Sequence, residues 1–409
     1  MNNILKSLPP ILTGNELISE LSVLPNYDSD IIKKSSSERL ISLMNIYDLY
    51  IPSQMSLEIY SKLYLAMVRS INKKSTNAAI IQHYENYNKM YNSLSNGIIG
   101  GSDSFTIIGN SGIGKSSAIN RAVSIITKNQ IIETNNPSYR KIIPCLTIQC
   151  PFDSSVKGLL LEILRKIDEI LGTNHYISAL KSRNTTTDML IGAVSNLALN
   201  HIGLLIVDEI QNVVNSKNGK NLVGSLTQLI NNSGISICMV GTPESTKFFE
   251  QAMFLARRST GLNYTSVPYD DYFISFCNIL LKYQYVTKPI ESNDTIIKWL
   301  YDHSKGVIAI VIALIHDAQE LAILNGYESI DISILNEVYK TRLNTLHSYI
   351  DTPILNKTTS IKKNHKKALT LTKINEENLF ENLVIKAKHD DLDIVSLLKE
   401  NCIVEEVCI

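Results

Sequence analysis

Short apolar runs and longer amphipathic stretches alternate through the middle of the chain. The runs are Phe105–Ile108, Ile142–Ile148, Leu204–Val207 and Ile235–Val240. This alternation predicts a parallel sheet with crossover helices, an α/β class of fold. Between the second and third runs, Val156, Leu159, Leu160, Ile163, Leu164, Ile167 and Leu171 recur at helical spacing. They predict a helix over 155–171 with one face on the sheet and Asp153 or Ser154 as its N-cap.

Upstream, helical periods over Ser37–Tyr50 and Gln54–Asn72, parted by Ile51-Pro52, predict a helical N-terminal element. The polar, Tyr-rich segment Asn77–Leu94 extends this as an amphipathic helix until Asn96-Gly97 and Gly100-Gly101 break it. After Asp270 the strand pattern stops, and Tyr272–Tyr285, Asp294–His303, Val307–Asn325 and Ile332–Leu346 each read as a helix. The stretch Asn356–Lys373 holds six lysines and few apolar residues, the pattern of a linker, and Glu376–Leu398 regains a weak helical period. The division expected is 1–77 helical element, 78–269 α/β core, 270–350 helical lid, and 351–409 basic linker with a C-terminal helix.

Composition narrows the function classes. The 44% apolar content excludes a disordered polymer, and the longest wholly apolar run, Val307–Ile315, is about half of the ~20 residues that span a bilayer. No secretory leader pattern is visible at Met1–Pro10, so a cytoplasmic location and no membrane partner are expected. Six cysteines without a C-x-x-C pair read as reduced thiols rather than a metal or redox set. Lys+Arg and Asp+Glu both total 39, so a nucleic-acid contact has to use local patches rather than a globally basic surface.

The chemistry concentrates in four places. Gly109-Asn110-Ser111-Gly112-Ile113-Gly114-Lys115-Ser116 fits G-x-x-x-x-G-K-[ST], directly after an apolar run and before a helical pattern, with Ser117 next. The glycines let backbone N–H groups curl around a polyphosphate, Lys115 reaches the β- and γ-phosphates of ATP, and Ser116 holds Mg2+. Asp208 and Glu209 end the run Leu204–Val207, which places Asp208 on the metal and Glu209 on the water that attacks the γ-phosphate. Thr242 follows the last run and offers a hydroxyl at the same sheet edge. Arg257 and Arg258 come after a further helical stretch, where an arginine can reach a neighbouring subunit's γ-phosphate.

In this order the motifs resemble those of AAA+ ATPases, and more narrowly those of the TnsC/TniB transposition regulators. The similarity runs over residues 97–265. It rests on the P-loop, Gln149–Asp153 with Lys157-Gly158-Leu159, Ile167-Asp168 with Leu171–Asn174, Val207–Asn212, Val240–Glu244 and Ala256-Arg257-Arg258.

The resemblance implies an AAA+ P-loop core with a helical lid and helical N- and C-terminal extensions. It implies an ATPase, weak alone and stimulated by partners, that assembles as a ring or filament on duplex DNA. Such a protein connects a target selector of the TniQ/TnsD type to transposase subunits, in a bacterial, nucleoid-associated setting. Thr242 becomes the first sensor and Arg257 or Arg258 the finger acting in trans. Ala309, within Ser304–Ala309, stands where a second sensor arginine is usual, and Lys305 is a nearby basic substitute. Lys157, Lys181 and Arg183 are the candidates for DNA phosphate contacts.

A helicase loader or replication-initiator ATPase shares this fold, and a nucleotide-dependent scaffold shares the phosphate cradle. The acid Glu209 argues against the scaffold. A secretion-associated ATPase and an ABC-type ATPase are disfavoured, the first by the missing membrane segment and the second by the missing Leu-Ser-Gly-Gly-Gln signature.

Overall fold

The computed structural model describes residues 7–82 apart from 75, 77 and 80, together with 104–128, 131–134, 140–152, 155–181, 185–213, 219–246 and 261–343. Contacts divide the chain into Met1–Asp351 and Thr352–Ile409, and the second unit lies outside the described residues. The linker and helix expected over 356–398, and most of the helix expected over 77–94, fall outside them as well.

Six strands form one sheet in the order β2-β3-β4-β5-β1-β6: β1 Phe105–Gly109, β2 Ile132–Thr134, β3 Arg140–Gln149, β4 Ile202–Asp208, β5 Ser236–Gly241 and β6 Leu262–Tyr264. All pairings are parallel except β2 with β3. The fold is a mixed α/β AAA+ core with helical extensions, and the four strands legible as apolar runs are its centre. The edge strands β2 and β6 have no counterpart in the sequence pattern because three residues carry no measurable period.

Parallel strands are covered on both faces, which is why their sequences read as continuous apolar runs. Leu205 and Val207 of β4 face one layer while Leu204 and Ile206 face the other, the two-residue alternation of a strand. The first layer consists of α5 (Val156–Leu171), α7 (Thr187–His201) and α8 (Gly219–Ser233). Helix α5 buries Leu159, Leu160, Ile163, Leu164 and Ile167, each worth about 1.5–3 kcal/mol of apolar burial. Its N-cap is Ser155, whose Oγ accepts the Gly158 N–H at 3.1 Å, in place of the expected Asp153 or Ser154. The opposite layer is α3 (Gln54–Lys74) and α4 (Lys115–Ile126), helped by Leu17 and Leu21 of α1 (Gly14–Leu21).

The lid has its own core, made by α9 (Asp271–Leu280), α10 (Asp294–Ser304), α11 (Ile308–Leu324) and α12 (Ile332–Thr341). Ile31, Leu43, Ile46 and Leu49 from the N-terminal segment enter this core. The helix expected over 37–50 is therefore shorter: α2 (Ser36–Leu43), opened by a Ser35–Glu38 capping box, tightens into a 3₁₀ turn at Met44–Asp48 that turns Ile46 inward. The helix expected over 272–285 stops at Leu280, because Gln284 folds back to bond the Leu281 and Ile290 carbonyls. This brings Tyr283 and Tyr285 edge-on to Tyr27.

Arg39, 3% exposed, fixes the N-terminal segment to the lid. It donates two hydrogen bonds of 2.6 Å to the Glu328 carboxylate and one of 3.0 Å to the Tyr285 carbonyl. The Arg39 hydrogen bond is the main cause holding the Glu328 carboxyl below its ordinary value of 4.5. Glu328→Ala leaves a buried guanidinium without its carboxylate and is expected to lower unfolding free energy by about 3 kcal/mol at pH 7 in urea titrations. A carboxyl with a depressed folded-state value stabilises above its ordinary titration range and loses that effect as pH falls through the lowered value. The deficit of the variant therefore shrinks below pH 4.5.

Candidate functional site

The turn between β1 and α4 is shaped by backbone that only glycine adopts easily. Gly112 has φ +78°, and a Cβ there would lie 2.9 Å from Val307 Cγ1 of the lid. Gly114, at φ +97°, is the N-cap of α4, so the loop wraps directly into the helix N-terminus. This is the geometry of an anion cradle, a loop that leads straight into the positive end of a helix dipole.

Lys115, the first residue of α4, is 9% exposed. Its Nζ donates to the carbonyls of Gly109 at 2.7 Å and Asn110 at 2.8 Å, folding the ammonium over the loop. Burial lowers its pKa, and the nearby Asp208 and Glu209 carboxylates oppose that shift. Ser116 Oγ donates to Asp208 Oδ2 at 3.0 Å, so a hydroxyl and a carboxylate converge, the oxygen donor set that suits Mg2+.

Asp208 is the last residue of β4, in register with Gln149 of β3. Its carbonyl accepts the Cys150 N–H at 2.8 Å, which extends the ladder to the strand end and fixes where the two acids emerge. Glu209, at φ +59°, is one of three described non-glycine residues in the left-handed region, and its N–H donates to Asp208 Oδ1 at 2.8 Å. Gln211 Nε2 donates to Glu209 Oε2. Thr242 follows β5; its N–H donates to Gln211 Oε1 at 3.3 Å, while its Oγ1 is buried without a partner. An orphaned hydroxyl beside the phosphate cradle fits a site that is completed by an anionic ligand.

A cavity of about 890 Å3 joins these groups. Ser111–Ser117, Asp208, Glu209, Gln211 and Thr242 form its polar end. The other end is walled by Val23, Pro25, Tyr50 and Ile51 of the N-terminal segment and by Tyr272, Phe276, Ile308 and Ile312 of the lid. Sequence reasoning missed that wall, since nothing in its local pattern distinguishes it from ordinary packing. It also missed Arg121, which lines the cavity while donating to the Leu21 and Ser22 carbonyls at 3.2 and 3.4 Å. Nothing in the sequence around Arg121 points to these partners, which lie about a hundred positions away.

At the expected second-sensor position, the Ala309 backbone N–H donates to the Gly112 carbonyl at 3.1 Å, so the lid touches the P-loop through main chain rather than a charged side chain. Lys305 is an exposed left-handed residue ending α10, and it is not among the described residues lining the cavity. Of the other candidates, Lys157 lies exposed in the first turn of α5, with Nζ 3.4 Å from the Thr185 carbonyl. Lys181 is exposed at the end of α6 (His175–Lys181). Arg183, Arg257 and Arg258 lie outside the described residues. No described helix is long and apolar enough to cross a membrane.

The strand order, the cradle and the paired acids are together those of a P-loop nucleotide-binding domain. The family model described as AAA domain matches residues 100–249, so the chain carries an AAA-type ATPase domain. Among solved structures, it is similar to the ORC2 protein of Aeropyrum pernix in ADPNP–ADP complexes, at 15% identity and TM-score 0.39 over 64% of this chain and 66% of that one. It is also similar to Drosophila ORC bound to DNA, at 9% identity and TM-score 0.46 over 98% and 86%. A third similar structure is domain III of the Thermotoga maritima replication initiation protein DnaA, at 14% identity and TM-score 0.35 over 68% and 94%. The chain spans just under two thirds of the Aeropyrum ORC2 chain. No curated protein matches it.

Two glycines separate backbone strain from cradle function. Gly112→Ala meets both the positive φ and Val307, and is expected to weaken binding of a fluorescent ATP analogue about tenfold or more. Gly172→Ala, at φ +69° with nothing within 4 Å, is expected to lower stability by about 1 kcal/mol and leave that affinity unchanged.

Proposed function

We propose that this chain is an ATP-hydrolysing, DNA-binding regulator of transposition of the TnsC/TniB kind. It assembles as a ring or filament on duplex DNA, links a TniQ/TnsD-type target selector to transposase subunits, and is released through ATP hydrolysis. The observation that carries this reading is the motif series around the site: Gln149–Asp153 and Lys157 after β3, Val207–Asn212 at the end of β4, and Val240–Glu244 at the end of β5. This series is more specific than the P-loop alone.

ATP enters with its phosphates over Gly109–Ser117 and its base toward the apolar wall. Lys115 exchanges the Gly109 and Asn110 carbonyls for the β- and γ-phosphates. Ser116 and Asp208 hold Mg2+, which supplies charge neutralisation along the polyphosphate. Glu209 accepts a proton as the water oxygen bonds to the γ-phosphorus, while the bond to the β-phosphate oxygen breaks and its electron pair stays with ADP. Thr242 Oγ1 donates to the γ-phosphate. Arg257 or Arg258 of a neighbouring subunit neutralises charge on the equatorial oxygens. With a lid contact made through the Ala309 main chain, turnover is slow in the isolated protein and rises with partners.

Lys157, Lys181 and Arg183 supply phosphate contacts that are individually weak and become a firm grip when repeated around an oligomer. The net charge of zero sets the same requirement. The experiment is fluorescence anisotropy on arbitrary duplex DNA with ATP, ADP or no nucleotide. Binding is expected with ATP, insensitive to sequence, steeply salt-dependent and absent in Lys115→Ala. Lys157→Ala is expected to lower the slope of log affinity against log salt by about one for each phosphate that the lysine no longer neutralises. Binding confined to one particular duplex sequence points instead to an initiator-type ATPase, and absence of DNA binding in every nucleotide state contradicts the proposal.

A further inference from the structure

We propose that Gln211 is a positioning residue that restrains Glu209 and ties it to Thr242, a latch on hydrolysis that rests on the ATPase reading above. Residues 209 and 242 each follow the end of a strand, and those strands, β4 and β5, are adjacent and parallel, with Val207 in register with Met239. Gln211 sits between them on the 3₁₀ turn Ile210–Val213. That turn is held by fully buried Ile210 and by Asn212, whose Nδ2 donates to the Cys150 carbonyl at 3.1 Å.

A single carboxamide bonds both neighbours, and its orientation follows from them. The carboxylate of Glu209 only accepts and the backbone N–H of Thr242 only donates, so Nε2 faces Glu209 and Oε1 faces Thr242. The close approach is built in at Gly241, where a Cβ would lie 3.2 Å from Gln211 Oε1 and 2.6 Å from Ile210 Cγ2. A side chain at 241 would push the amide away from Thr242.

The consequence for hydrolysis follows from the same bonds. One oxygen of Glu209 is occupied by an amide donor, which fixes the direction of the carboxylate and withholds that oxygen from an attacking water. The unpartnered Thr242 Oγ1 is carried by the same residue whose N–H holds the other end of the amide. When that hydroxyl engages a γ-phosphate, movement of residue 242 pulls on Gln211 and frees the carboxylate for water. Nucleotide without a γ-phosphate leaves the latch closed.

The test is steady-state ATP hydrolysis by the full chain without partners, for wild type, Gln211→Ala and Gln211→Met, the last keeping the packing volume without the amide. The expected result is a kcat at least about threefold higher in both variants, with KM for ATP within about twofold of wild type. The same Gln211→Met change made in Glu209→Gln is expected to have no effect, since the restraint acts through the carboxylate. An unchanged or lower kcat in Gln211→Met overturns the latch, as does an equal rise in the Glu209→Gln background. If Glu209→Gln alone turns over like wild type, the ATPase reading of Glu209 fails first, and that result is separable from the others.

Discussion

A strand buried on both faces has no polar side chain to offer until its end. In this protein β1, β4 and β5 run side by side with every interior residue buried, so their chemistry emerges at one edge of the sheet. The phosphate cradle, the two acids and the Thr242 hydroxyl converge because the strands are parallel and adjacent, and because each ends where its apolar run ends. Register carries this convergence further: Gln149 lies opposite Asp208, and Ile108 opposite Gly241, so the ends of β3 and β4 are level, as are those of β1 and β5.

The rest of the molecule closes that edge. Opposite the P-loop and the strand ends, the cavity is walled by the N-terminal segment and the lid, and these two are packed into one core. Arg39 with Glu328, Tyr27 with the Gln284 carbonyl, and Tyr272 with the Ile51 carbonyl hold them together. The lid reaches the P-loop at Gly112 through the Ala309 N–H and Val307. The lid thus meets the P-loop through main chain and an apolar side chain, with no charged side chain at position 309.

The sheet centre, the crossover helices and the P-loop were legible because each has a strong local signature: apolar runs, a 3.6-residue period, and glycines at fixed offsets. Asp208 and Glu209 were legible for the same reason, standing at the end of such a run. What stayed hidden depends on partners distant in sequence. Arg39 meets Glu328 across 289 positions. The shortening of α2 follows from the place of Ile46 in the lid core, and the role of Ala309 from a backbone bond that no side-chain pattern encodes. Gln211 is the intermediate case: it was legible as part of a motif, yet only the geometry gives it two bonding partners.

The central claim is that the cradle binds ATP and that Glu209, a step further along the same sheet edge, serves its hydrolysis. Calorimetric titration of Mg·ATP into wild type and Glu209→Gln, paired with phosphate release on the same samples, tests it most directly. The account predicts comparable affinity in the two proteins and phosphate release reduced about a hundredfold or more in the variant. Equal phosphate release from both, or loss of binding in Glu209→Gln with the fold intact, would contradict it.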